Sequence, residues 1–146
     1  MSQKATSIIK TFIHDLNSDL DDYKKLHQLL KLQHHNMIQR NSDKLTKITD
    51  KHQNTLQLLQ QRADQRSNLL EQLGMDGSAD SVNRLIKALP KQHSQNTQAK
   101  WTLLKQLVNE CMMQNERNSR LLMMQQQILT QVLHQDNDST YQPVGY

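Results

Sequence analysis

Apolar side chains recur along this chain at steps of three and four, with no strand-like alternation, and that spacing predicts helices. Ile9, Phe12, Leu16, Tyr23, Leu26, Leu30 and Met37 mark a first helix, beginning near Ser2 or Thr6 and running to about Ile38. Asn41-Ser42-Asp43 is cap chemistry, compatible with a break or with a kink. A second stripe follows in Leu45, Ile48, His52, Leu56, Leu59, Ala63, Leu70 and Leu73. Arg66 takes one of its inward slots, which predicts a locally imperfect seam. Gly74-Met75-Asp76-Gly77 ends that helix, with Gly74 suited to a left-handed cap. Ser78 or Ser81 starts a short helix whose Val82, Leu85, Ile86 and Leu89 share a face, stopped by Pro90. Lys91 to Asn96 reads as a polar link.

Residues Thr97 to Leu133 form the longest predicted element, free of proline and glycine. Trp101, Leu104, Val108, Cys111, Leu122, Leu129 and Val132 lie on one stripe. Leu103, Leu107, Leu121, Met124 and Ile128 make a second row beside it. A helix that packs against one neighbour needs a single stripe. From Leu121 to Gln135 there is no Asp, Glu, Lys or Arg, and glutamine fills the gaps between apolar residues. The surplus reads as a surface for another protein. The helix is expected to fray near His134, leaving a polar tail. The expected architecture is therefore all-α: an elongated antiparallel bundle of three long helices with one short connecting helix. It divides into a single bundle domain over 1–134 and a flexible tail over 135–146.

Composition agrees. Apolar residues make up 35% of the 146, aromatic residues 3%, with three glycines and two prolines. The mean hydropathy is −0.83. A compact globule carries about 45–50% apolar residues, whereas long helices closing a narrow seam leave most of their circumference wet. The formal charge is +4. Basic residues alternate with acidic ones, as in Lys44, Lys47, Asp50, Lys51, the pattern of a solvated helical face. Nucleic-acid binding would need a clustered basic patch and stacking aromatics. The one cysteine excludes an internal disulfide and fits a reducing cytosol. No segment has the length and apolarity of a secretory signal or a membrane span, so the expectation is a cytoplasmic protein without stable membrane insertion.

Candidate chemistry is thin. Seven histidines include no HxxxH or HExxH pair, and the adjacent His34 and His35 diverge on a helix, so no metal site is expected. Cys111 sits on an apolar stripe, as a buried structural thiol would. The three glycines never form a phosphate-binding loop. The reading is a non-enzyme without a cofactor. Asn115 and Asn118 are more informative, because both fall near inward slots of the long helix. They act either as a register device that disfavours slipped alignments or as contacts to the backbone of a bound peptide. Met112, Met113, Met123 and Met124 suit either a core or an adaptable binding surface.

The order Trp101, then Asn115-Glu116-Arg117-Asn118-Ser119-Arg120-Leu121-Leu122, then Tyr141-Gln142-Pro143-Val144-Gly145 resembles the C-terminal half of FlgN-type flagellar export chaperones. That family shows a tryptophan early in its last long helix, an N-x-x-N-G-x-L-L signature and a Y-x-x-x-G tail. The Leu73–Gly77 turn is also similar. Residues 70–146 match in order, and the first two helices match in pattern and length. Ser119 departs from the family's usual glycine. The resemblance implies a cytoplasmic chaperone for the hook–filament junction proteins FlgK and FlgL, one that binds their assembly-prone terminal helices, blocks premature polymerisation and delivers them to the export gate. It implies a client groove of Leu121, Leu122, Met124, Ile128, Leu129 and Val132 with Asn115 and Asn118 at its edge. Tyr141 would dock on the export-gate protein FlhA. From the residues alone a second reading stands beside it: a self-associating coiled-coil tether whose apolar rows close in a homodimer.

Overall fold

The computed structural model describes residues 3–140, apart from the side chains of residues 79 and 136–140. Four helices follow in order: α1 (Gln3–Ile38), α2 (Ser42–Gln72), α3 (Ala79–Ala88) and α4 (Lys91–Thr140). Among the described residues there is no strand. α1 and α2 form an antiparallel hairpin, pairing Phe12 and Leu16 with Leu70, and Leu26 and Leu30 with Leu59. α4 then returns alongside α1 and parallel to it. α1 packs along both other long helices, which scarcely meet each other.

The two long-helix ends close by the same device. At the end of α1 the N–H of Asn41 donates to Asn36 O (3.0 Å) and that of Arg40 to Met37 O (3.1 Å), with Arg40 in the left-handed region at φ 54°. After α2 the N–H of Met75 donates to Leu70 O (2.8 Å) and that of Gly74 to Glu71 O (2.9 Å), with Gly74 at φ 76°. Both pairs satisfy carbonyls that a helix terminus otherwise leaves unpaired. The 41–43 segment is thus a true break, and Asn41 caps α2 by accepting from the Lys44 N–H (3.1 Å).

Two boundaries differ from the sequence reading. Lys91–Asn96 is the first turn and a half of α4: the Ser94 N–H already donates to Pro90 O (2.8 Å). Proline before the first helical residue has no N–H to leave unpaired and presets φ, so a polar stretch behind it starts a helix as readily as a loop. At the other end α4 continues past His134 to Thr140. The remainder of the expected tail, 141–146, lies outside the described residues.

The core is concentrated where α3 folds across the end of the hairpin. Phe12, Leu16, Leu20, Leu70, Val82, Leu85, Ile86, Leu104 and Leu107 form one buried cluster, drawn from all four helices. A smaller cluster of Leu26, Leu30, Leu59 and Cys111 follows towards the hairpin turn. Between them lies the imperfection that Arg66 foretold. Asp19, only 1% exposed, accepts from Arg62 Nη1 and Arg66 Nη1, each at 2.7 Å, and Arg62 also pairs with Asp22. Burial pushes the Asp19 carboxyl up, and the Arg66 and Arg62 guanidiniums pull against it. Arg66 also lies 5.8 Å from the centroid of the Trp101 ring, joining α2 to α4.

Candidate functional site

The α1–α4 seam repeats every seven residues on both helices. The Cys111 thiol donates to Tyr23 O (3.6 Å), Asn118 Nδ2 to Leu30 O (2.9 Å) and Gln125 Nε2 to Met37 O (2.9 Å). The constant offset means that the two helices stay in step as a parallel coiled coil does. On α4 the inward positions are Leu104, Leu107, Cys111, Gln114, Asn118, Leu121, Gln125, Ile128 and Val132, spaced alternately by three and four. The first three are buried and apolar. Gln114 and Asn118 are buried and polar.

Asn118 is held on every valence. Its Oδ1 accepts from Gln114 Nε2 (3.0 Å) and lies 3.0 Å from His34 Nδ1, which must carry a proton because a carbonyl oxygen only accepts. Its Nδ2 donates to Gln33 Oε1 (2.9 Å) as well as to Leu30 O. A buried amide so placed has one good register, because a slip of either helix orphans it. Asn118, which the resemblance set at the edge of a groove, is 4% exposed and lies inside the α1–α4 seam, where a register device would sit. Asn115 is exposed and borders a different cleft of about 220 Å³, between His52 and Leu56 of α2 and Met112 of α4.

Beyond Gln125 the seam loses its partner. α1 ends at Ile38, directly after Met37, while α4 runs another fifteen residues, about 22 Å at 1.5 Å per residue. The next inward positions, Ile128 and Val132, are 50% and 46% exposed. Leu122 and Leu129 on the flank are 48% and 59% exposed, and Met123, Met124 and Leu133 are also exposed. Leu121 is half-buried. A notch of about 410 Å³ separates this overhang from the hairpin turn, walled by Met37, Arg40 and Leu45 on one side and Ile128, Leu129 and Val132 on the other. Tyr141 lies outside the described residues.

The structure thus places Ile128, Leu129 and Val132 on the projecting length of α4, and Leu121, Leu122 and Met124 just before it, where α1 still runs alongside. It adds Met37 and Leu45, which the sequence reading places only in the stripes of their own helices, and Arg40, which carries no expectation. What joins them is the register between helices far apart in the chain, and no local spacing records that.

Burial, with the adjacent Glu110 carboxylate, pushes the Cys111 thiol up to about 11, so it stays protonated and poorly nucleophilic. Burial lowers His52. Among the described residues no group of His, Cys, Asp and Glu is placed to hold a metal ion. No described helix is long and apolar enough to cross a membrane. What the site offers is apolar area, a polar border that includes Arg40, and a projecting helix to present them.

A family model described as FlgN protein matches residues 1–145. The chain belongs to the FlgN family. FlgN family membership implies the general role of a flagellar export chaperone. No curated protein and no solved structure matches the chain.

Proposed function

We propose that this FlgN-family chain works in the cytoplasm as the export chaperone of the hook–filament junction proteins FlgK and FlgL. It binds an assembly-prone terminal helix of the client along the α4 overhang and hands the client to the export gate. The observation that carries the reading is the run-off of the seam: Ile128 and Val132 continue the heptads of α4 where α1 has already ended. A client helix laid there completes the coiled coil that α1 leaves unfinished. Leu121, Leu122, Met124 and Leu129 widen the contact, and the methionines adapt it to clients of different shape. The absence of Asp, Glu, Lys and Arg from Leu121 to Gln135 means that α4 itself brings none of those charges to be stripped of water on binding, and Arg40 stands across the notch. Asn115 borders the separate cleft beside His52 and Leu56 and takes no part in this contact, and Asn118 keeps the rod in register from within. Tyr141, just after the overhang, is the contact for FlhA, so client and gate would be held by neighbouring parts of one helix and its tail.

The test is the double variant Ile128→Asp/Val132→Asp, titrated with a terminal fragment of a hook–filament junction protein. Both side chains are half in water, so helicity by circular dichroism should stay at the wild-type level. Client affinity should fall roughly 100-fold or more, as for central anchor residues. Unchanged affinity would refute the reading. A second copy of this chain is the competing occupant. Light scattering that finds a stable wild-type dimer, broken by the same substitutions and indifferent to client, would establish the tether instead.

A further inference from the structure

The charge that looks dispersed along the chain is gathered by folding. Between Lys24 and Lys51 the sequence has seven basic residues and two acidic ones, an excess of five where the whole chain carries +4. Lys44, Lys47 and Lys51 stand at i, i+3 and i+7, one stripe of α2 rising about 10 Å. The antiparallel hairpin sets Lys25 of α1 beside that stripe.

Two shallow cavities run along this outer face. One of about 360 Å³ is lined by Lys25, Leu29, Leu32 and Lys51 among others. The next, of about 430 Å³, is lined by Leu32, Lys44 and Lys47 together with neighbouring polar groups. Leu32 borders both, so they form one trough, and it is 50% exposed at the middle. No residue of α4 lines either cavity. Asp43 and Asp50 share α2 with the lysines and line neither. Among the described residues none of the four lysines is ion-paired, whereas Arg62 and Arg66 at the other end both meet carboxylates.

We propose that this trough is a second docking surface, separate from the α4 overhang, and that its partner is an acidic amphipathic helix of another protein. Two rows of Asp or Glu on such a helix would face Lys25 and Lys51 at one end and Lys44 and Lys47 at the other. An apolar side chain between them would cover Leu32 and Leu29. Complementary charge of this kind steers encounter and fixes orientation, and the central leucine supplies desolvated contact. A nucleic acid fits less well, because no aromatic residue lines the trough for stacking and a phosphate backbone leaves Leu32 unsatisfied. The inference does not depend on which client occupies α4.

The experiment uses the full chain and a fluorescein-labelled helical peptide of alternating Glu and Leu turns, followed by anisotropy at low and physiological salt. Its controls are the same peptide with Lys for Glu, an oligothymidylate and vesicles containing anionic phospholipid. The acidic peptide should bind, more weakly as salt rises, and the lysine peptide should not. Lys44→Glu/Lys47→Glu/Lys51→Glu should weaken binding about tenfold or more with helicity unchanged, because exposed charges carry little of the fold. The corresponding glutamine variant should fall between, and Leu32→Ser should weaken binding at both salt concentrations. Ile128→Asp/Val132→Asp should leave the acidic peptide untouched. Equal binding by wild type and the glutamate variant overturns the proposal, as does loss of binding in the α4 variant alone. So does a wild-type protein that ignores the peptide at low salt, or that takes up the oligonucleotide or the vesicles in its place.

Discussion

The two ends of this bundle are built from similar residues to opposite effect. At the α3 end all four helices contribute to one cluster, every guanidinium of the buried network meets a carboxylate, and Phe12, Leu16 and Ile86 are shut from water. At the hairpin end the core has thinned to Met37 and Ile48, lysines stand unpaired, and α4 projects alone with Ile128, Leu129 and Val132 half in water. The cause is length rather than composition. α1 is 36 residues long and α4 is 50, and the two are pinned in step by Asn118, so the surplus falls beyond one end. A stable scaffold and an unfinished interface thereby coexist in one small domain, with the first fixing where the second is presented.

The largest expected effect separates those ends by stability. Phe12→Ala, at 2% exposure among the residues of the main cluster, should cost about 3–5 kcal/mol in urea unfolding, since it removes a fully buried ring and leaves a cavity. The single exchange Ile128→Asp should cost far less, about 1 kcal/mol or under, because its side chain is already half in water. A large loss from Ile128→Asp would mean that the overhang is folded against something in the free protein. The contrast between the ends would then fail.

A smaller effect sharpens the comparison at the turns. The same backbone closure ends α1 and α2, but the left-handed position is Arg40 in one and Gly74 in the other. A Cβ on Gly74 would meet nothing within 4 Å, so Gly74→Ala costs only the backbone strain, about 1 kcal/mol. Arg40→Gly should relieve similar strain and recover about 0.5–1 kcal/mol, after the greater freedom of glycine in the unfolded chain is counted. Thermal unfolding of both variants reads the two signs. If Arg40→Gly destabilises, the Arg40 side chain is held in the notch against Leu45 and Ile128 by contacts that outweigh its strained backbone.

These contrasts also mark where the sequence is legible. Helix number, the Gly74 cap and the 78–89 helix follow from local spacing and cap chemistry, and the structure has them, while at 41–43 the spacing leaves break and kink open and the structure has the break. Leu104 and Cys111 are inward as their spacing predicts. Leu122 and Leu129 are not, because the step from Cys111 to Leu122 is eleven residues, which carries a side chain off a seven-residue seam. The inward slots between them are Gln114, Asn118 and Leu121; Asn118 is legible as a polar residue near the seam, whereas the polarity of Gln114 hides it from any search for apolar stripes. Asp19 was missed for the same reason. Its signal is the row Asp15, Asp19, Asp22 beside the apolar stripe of α1, opposite an arginine that itself points inward. The trough on α1 and α2 is illegible in the chain, because it arises only when Lys25 is brought beside Lys51.

The smallest expected effect is a difference in acid response between the two turns. At the hairpin end Asn41 caps α2 with an amide that does not titrate. At the α3 end Asp76 accepts from the Ser81 hydroxyl and from the Ser78 N–H (3.1 Å), and these bonds hold its carboxyl down at about 2. The folded state therefore favours the ionised form. Its contribution is complete above the unfolded value near 4 and disappears as pH falls through 2. Amide-exchange protection at Ser81 and Val82 should drop over that window, after correction for the intrinsic pH dependence of exchange, while protection at Leu45 stays level. Asp76→Asn should lower protection at Ser81 already at neutral pH and show no further change on acidification. Parallel losses at both turns would mean that acid acts on the whole bundle rather than on this cap.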